Sequence, residues 1–170
     1  MHPFDVERTL KTFKILVDTR EQPTERSYQR IESMGVPVER CKLDFGDYSA
    51  SVVLPDGNIF YFCDSICVER KMNIDELCNC FCRDRKRFFD EFERAKRKRA
   101  KVFLLVECAT WEKIYRKNYS SMMHPNALIA SLISWMANFD FFILFCEPET
   151  SGKLIAEILY REVKKRLEAM

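Results

Sequence analysis

Glycine and proline are scarce, four and six among 170 residues, which excludes a low-complexity linker and favours one compact domain. An excess of charge of either sign is missing as well. With 28 basic and 26 acidic side chains the net charge is +2, so attraction to a polyanion must come from local patches rather than the overall field. No apolar leader opens the chain, whose first residues are Met1-His2-Pro3-Phe4-Asp5-Val6-Glu7-Arg8. A membrane span is not expected either, because Asn138 and Asp140 interrupt the apolar stretch 128–145 where a helix should turn into a strand. What is there is a chain that is 47% apolar, enough to bury a core at this length.

Without a leader, the eight cysteines read as reduced thiols of an intracellular protein, cytoplasmic or nuclear according to its source, rather than as a disulfide framework. Cys78, Cys80 and Cys82, with Cys63 and Cys67 upstream, invite a metal-binding reading. On a helix, however, Cys78 and Cys82 share a face while Cys80 turns away, a poor tetrahedral arrangement. Small buried apolar residues are the expected role.

The chemistry gathers around Ile66-Cys67-Val68-Glu69-Arg70-Lys71, a β-prone run that ends in an acid, a guanidinium and an amine. Strand alternation puts Glu69 and Lys71 on one face and Val68 and Arg70 on the other. Upstream, Phe45-Gly46-Asp47-Tyr48 starts a second strand that can bring Asp47 beside Glu69. Two carboxylates suit a hard cation, and a neighbouring amine can orient or deprotonate a water. Behind the triplet, Asn73 is an N-cap with Glu76 at N3 and a Met72/Leu77 staple, so a helix starts there with Asp75 in its first turn.

In chain order, residues 1–12 are a polar, flexible lead-in and residues 13–170 the domain. Residues 13–17 form a core strand that presents Asp18, Arg20 and Glu21. Pro23-Thr24 opens a helix with Tyr28, Ile31 and Met34 on one side, closed by Gly35 and Pro37. Strand 48–54, the turn Pro55-Asp56-Gly57-Asn58 and strand 59–63 make a hairpin. Residues 73–100 are mostly helical, with a break near 83–86 and a buried face carrying Ile74, Leu77, Phe81, Phe88, Phe92 and Ala95. Two basic clusters, 83–87 and 94–101, lie on this segment; Arg83 and Arg87 are the best candidates for phosphate contacts, with Asp84, Asp90, Glu91 and Glu93 balancing a solvated face. Strands 102–106 and 141–146, a short helix at 111–115, a helix at 127–139 preceded by His124 as a cap, and a final helix at 152–167 complete the pattern. The alternation gives an α/β fold with a mixed central sheet flanked by helices.

Val17-Asp18-Thr19-Arg20-Glu21, Gly46-Asp47-Tyr48 and Glu69-Arg70-Lys71 followed by Asp75 resemble, in order and spacing, the nuclease motifs of the XPF family. The resemblance runs from about Lys14 to the end, and Arg87-Phe88 and the strand 102–107 match as well. It implies a restriction-endonuclease-like fold and a Mg²⁺- or Mn²⁺-dependent endonuclease acting on DNA at flaps, forks or branches, in repair or recombination. On that basis Asp47, Glu69 and the Arg70 carbonyl hold the metal, Lys71 positions the water, and Asp18 and Glu21 complete an outer or second metal site. Arg70 and Asp75 brace the junction, and Arg20, Lys71, Arg83 and Arg87 meet DNA. A dimer, homo- or heteromeric, is expected through Leu128, Leu132, Trp135, Ile158 and Leu159. A non-catalytic scaffolding subunit and an RNA-directed nuclease are the alternative functions. The family's helix-hairpin-helix and helicase modules have no counterpart in the sequence.

Overall fold

The computed structural model describes residues 1–170. Along the chain run α1 (Pro3–Leu10), β1 (Lys14–Asp18), α2 (Glu25–Ser33), β2 (Val38–Cys41), β3 (Tyr48–Val53), β4 (Ile59–Tyr61) and β5 (Ile66–Lys71). Then come α3 (Ile74–Phe81), α4 (Arg85–Arg97), β6 (Lys101–Glu107), α5 (Trp111–Tyr115), α6 (Pro125–Phe139), β7 (Phe142–Cys146) and α7 (Pro148–Ala169). One mixed seven-stranded sheet has the order β2-β1-β3-β5-β6-β7, with β4 paired to β3. The β5-β6-β7 half is parallel, and β3 joins it antiparallel to both β1 and β5.

Alternation along β5 and β6 divides the interior in two. Cys67, Val102, Leu104 and Val106 face α3, α4 and α6, whereas Ile66, Val68 and Leu105 face α1 and α7. The near-continuous apolar run of β6 is thus explained by a sheet covered on both faces. The helix pair α3/α4 breaks at residues 82–84, where the basic cluster begins. No helix is long and apolar enough to cross a membrane.

Several expectations are corrected. Residues 3–10 form a helix with Pro3 at its first turn, and Val6, Thr9 and Leu10 are buried with α7. The inner face of α2 is Ser27 and Arg30, while Tyr28 points outward at 61% exposure. The reason is ionic: Arg30 has carboxylate partners inside, described below, which an unpaired arginine could not do without. Met72 is half exposed and staples nothing, and Glu76 accepts the Met72 N–H at 2.7 Å. Cys67, Cys78 and Cys80 do pack in the core as expected, and only Cys82 of the cysteines on α3 and its C-cap is exposed. Of the residues expected at a dimer interface, Leu128, Leu132, Trp135 and Leu159 are buried within their own chain, and Ile158 packs partly against the α7-side core. Trp135 in particular stacks on Phe88 and meets Phe81, Phe92 and Phe139 edge-on. Helix α6 packs Leu128, Leu132 and Trp135 into the core it shares with the sheet, α3 and α4.

Candidate active site

Asp47 lies one residue before β3, across from β5. Its N–H donates to the Val68 carbonyl at 2.9 Å, and its Oδ2 accepts the Arg70 N–H at 2.8 Å. The N–H and C=O of an extended residue leave the strand on the same side, so the Arg70 carbonyl also faces Asp47, beyond the last β3–β5 pair, Tyr48–Val68. Glu69, on the α4-side face of β5, is 4% exposed. Its Oε1 accepts a hydrogen bond from the Lys71 ammonium, while Oε2 is buried without any partner. Lys71 also lies 5.3 Å from the Phe88 ring centre.

The electrostatics are lopsided. Burial pushes the Asp47 carboxyl up to about 6 even though Lys71 and the Arg70 N–H oppose the shift. Burial, then the charge of Asp47, raises Glu69 well above the usual carboxylate range. Lys71 moves the other way from what burial alone would do, because Glu69 and Asp47 stabilise its charged form. The charged form so favoured can orient a water.

A third acid adds to the imbalance. Glu91 of α4 accepts the Gly46 N–H at 2.9 Å, and its charge contributes to the upward shifts of Asp47 and Glu69. In sequence it passed for one of the acids balancing a solvated helix. The available signal was its place beside Phe88, Phe92 and Ala95, on the stripe that packs inward.

Asp18 is the cross-strand neighbour of Asp47, its N–H donating to the Asp47 carbonyl at 2.8 Å. Its carboxylate accepts from the Arg20 N–H (2.7 Å), Nε (2.7 Å) and Nη2 (3.0 Å), and from the Leu43 N–H (2.7 Å). Burial works to raise its pKa, but those Arg20 and Leu43 hydrogen bonds prevail and hold it below the usual range. Asp18 is therefore a saturated carboxylate that organises a loop. Glu21, expected beside it at a metal, lies in another network. It accepts from Arg30 Nη1 at 3.0 Å and from the Tyr48 hydroxyl at 3.2 Å, and Arg70 Nη2 is 3.6 Å away. Glu107 completes that network, taking Arg30 Nε at one oxygen and Arg70 Nη1 at the other, each at 3.2 Å. Arg30 and Glu107 were not singled out in the sequence; a helix whose inner stripe would otherwise hold an arginine is the one hint.

Asp75 accepts the Ser121 N–H at 2.5 Å and ties the start of α3 to the loop before α6. Arg20 is 60% exposed and bound to Asp18 and the Leu43 carbonyl. Arg83 and Arg87 are each 80% exposed and line a surface groove with Lys86, Asp90 and Arg94 along α4.

The residues present fit a divalent cation in charge and donor type. Asp18, Asp47, Glu69 and Glu91 stand against Arg20 and Lys71, four acids to two bases, and one buried carboxylate oxygen lacks a partner. No three acids, histidines or cysteines are arranged around a single point as a ready ligand set, so such an ion would be shared by Asp47, Glu69 and the Arg70 carbonyl.

No curated protein matches the chain significantly. Among solved structures, XPF from Aeropyrum pernix is similar over 92% of this chain and 67% of that one, with 25% identity and a TM-score of 0.61. The same protein in complex with DNA is similar over 90% and 66% of the respective chains, with 26% identity and a TM-score of 0.60. This chain thus spans about two thirds of the length of those neighbours. The ERCC4 domain matches residues 17–158, from the end of β1 into α7, and so takes in Asp47, Glu69 and Lys71 together. The chain belongs to the ERCC4 domain family.

Proposed function

We propose that the chain is an endonuclease of the XPF type that hydrolyses DNA phosphodiester bonds with Mg²⁺ or Mn²⁺. The observation that carries this reading is the uncompensated acid pair Asp47 and Glu69, with an unpartnered oxygen beside the Lys71 ammonium. Asp47, Glu69 and the Arg70 carbonyl would hold the ion, which supplies Lewis-acid polarisation of the phosphate and of the attacking water. Lys71 orients that water and meets the charge that grows on the phosphoryl oxygens as the water–phosphorus bond forms and the phosphorus–oxygen bond to the leaving sugar breaks. Phe88 and Glu69 fix the ammonium so that little reorganisation is needed.

DNA as substrate is supported by the DNA-bound neighbour and by the exposed arginines of α4. Phosphate-directed arginines do not read base edges, so cutting should show little sequence preference. A preference for flaps, forks or branches rests on the family resemblance. The test is cleavage of labelled duplex, single-stranded, flap and fork DNA with Mg²⁺ or Mn²⁺ and with EDTA. Metal-dependent cutting of junctions over duplex is expected; equal rates on all would refute junction selectivity, and equal rates in EDTA would refute the reading itself. We further infer a dimer through the apolar side chains left exposed around α6 and β7, Ile133 and Phe142. A monomer at micromolar concentration by light scattering would refute it.

A further inference from the structure

The loop 44–47 that carries Asp47 is held by one stripe of α4 and its C-cap, Lys98. Glu91 takes the Gly46 N–H at 2.9 Å, Arg94 Nε donates to the Asp44 carbonyl at 3.0 Å, and Lys98 donates to Asp44 Oδ2 at 2.8 Å. Residues three and four apart on a helix share a face, which is why 91, 94 and 98 reach the same loop. The Arg94 and Lys98 contacts are open to water and are correspondingly weak; that of Glu91 is partly buried and charge-assisted. On its other side the loop cannot yield. Gly46 has φ +73°, and a Cβ there would stand 2.6 Å from Cys67 Cβ. Gly46 is therefore gripped between Cys67 of β5 and Glu91 of α4. The next residue is Asp47. Glu91 also lines a small cavity with Glu69, Gly46 and Cys67.

We propose that Glu91 is a positioning residue for Asp47, its carboxylate holding the Gly46 N–H and thereby fixing the Asp47 carboxyl relative to Glu69. The catalytic consequence rests on the nuclease reading; the structural one does not. The experiment compares wild type with Glu91→Ala and Glu91→Gln, whose amide oxygen can still accept the Gly46 N–H. Gly46 amide exchange by NMR, thermal unfolding, and kcat and KM on labelled DNA with a Mg²⁺ titration are measured. Exchange at Gly46 should accelerate at least about tenfold in Glu91→Ala, one lost charge-assisted hydrogen bond, and stay slow in Glu91→Gln. Turnover should fall roughly 10–100-fold in Glu91→Ala with KM for DNA little changed, and Glu91→Gln should recover most of the loss. Should Glu91→Ala unfold, Glu91→Leu fills the space without an acceptor and replaces it. Unchanged Gly46 exchange in the variant without an acceptor, or a glutamine no better than that variant, would overturn the proposal. So would faster exchange with undiminished turnover. An inactive wild type would sink the nuclease reading alone, since Gly46 exchange still decides whether Glu91 holds the loop.

Discussion

The two faces of β5 both carry buried charge and handle it in opposite ways. On the α2 side, Arg30, Arg70, Glu21, Glu107 and the Tyr48 hydroxyl form a balanced network in which each carboxylate meets two guanidinium groups. On the α4 side, Asp47, Glu69 and Glu91 crowd a single ammonium, and one Glu69 oxygen has nothing to bind. The α2-side network is balanced in charge, although Arg70 Nε lacks a partner; the α4 side is short of positive charge, an arrangement that a cation would complete. The same contrast holds between cross-strand neighbours. Asp18, with its Arg20 and Leu43 donors, is held low, while Asp47, with one backbone donor and acidic neighbours, is pushed up to about 6.

The largest effect should come from the unsatisfied face. Glu69→Ala or Asp47→Ala should lower metal-dependent cleavage on the order of 10³-fold or more, with the far-ultraviolet circular dichroism unchanged. Cleavage in Glu69→Ala at the wild-type rate would erase the distinction drawn between the faces. The balanced face should answer in stability instead. Arg30→Met or Glu107→Leu alone leaves a buried charge short of a partner and should cost roughly 3–5 kcal/mol in urea unfolding. The double variant leaves Arg70 facing Glu21 at 3.6 Å, and its cost should be well below the sum of the singles. Additive losses would mean that the network is not a unit.

A smaller effect follows from pH. The folded pKa of Asp47 is raised above its unfolded value, so its contribution to stability is fully present below about pH 4, as protonation of both states leaves no penalty there, and is lost as pH rises through about 6. Metal-free Asp47→Asn, which keeps an acceptor for the Arg70 N–H, should therefore be more stable than wild type at pH 8 by on the order of 1–2 kcal/mol. The gain should shrink towards pH 4 in thermal unfolding, and added Mg²⁺ should narrow it by stabilising the wild type. A gain independent of pH would place its origin elsewhere. Asp18 has the opposite sign: its folded pKa is lowered, so its contribution is present above the unfolded value and lost as pH falls through the folded one. The smallest effect belongs to the surface. Arg83→Ala and Arg87→Ala should each reduce the slope of log affinity against log salt by about one, measured by fluorescence anisotropy on labelled DNA.

What sequence could show is best judged residue by residue. Period-two alternation was sufficient to put Glu69 and Lys71 on one face, and they are ion-paired there. Local cap and turn chemistry placed Thr24, Asn73 and His124 at helix starts and Gly57 in the hairpin turn. It missed α1, a short helix that exists because Val6 and Leu10 find a partner in α7. It assigned Leu132 and Trp135 to a second chain because apolar content alone does not say whose core a side chain enters.

By itself, then, the sequence determined the α/β alternation, the strand that carries the acids and the family, since these depend on local periodicity and on short motifs whose spacing survives without knowledge of neighbours. Tertiary structure alone decided how the charges are sorted. Asp18, Glu21 and Asp47 are all acids at strand ends. Yet the first is saturated by Arg20 and Leu43, the second is drawn to Arg30 on the far face, and the third is left beside Glu69. A carboxylate's role depends on which donors lie within about 3 Å of it, and apart from Arg20, two residues from Asp18, those come from α2, β3, β5 and the loop before β3, residues remote in the chain that only folding brings together.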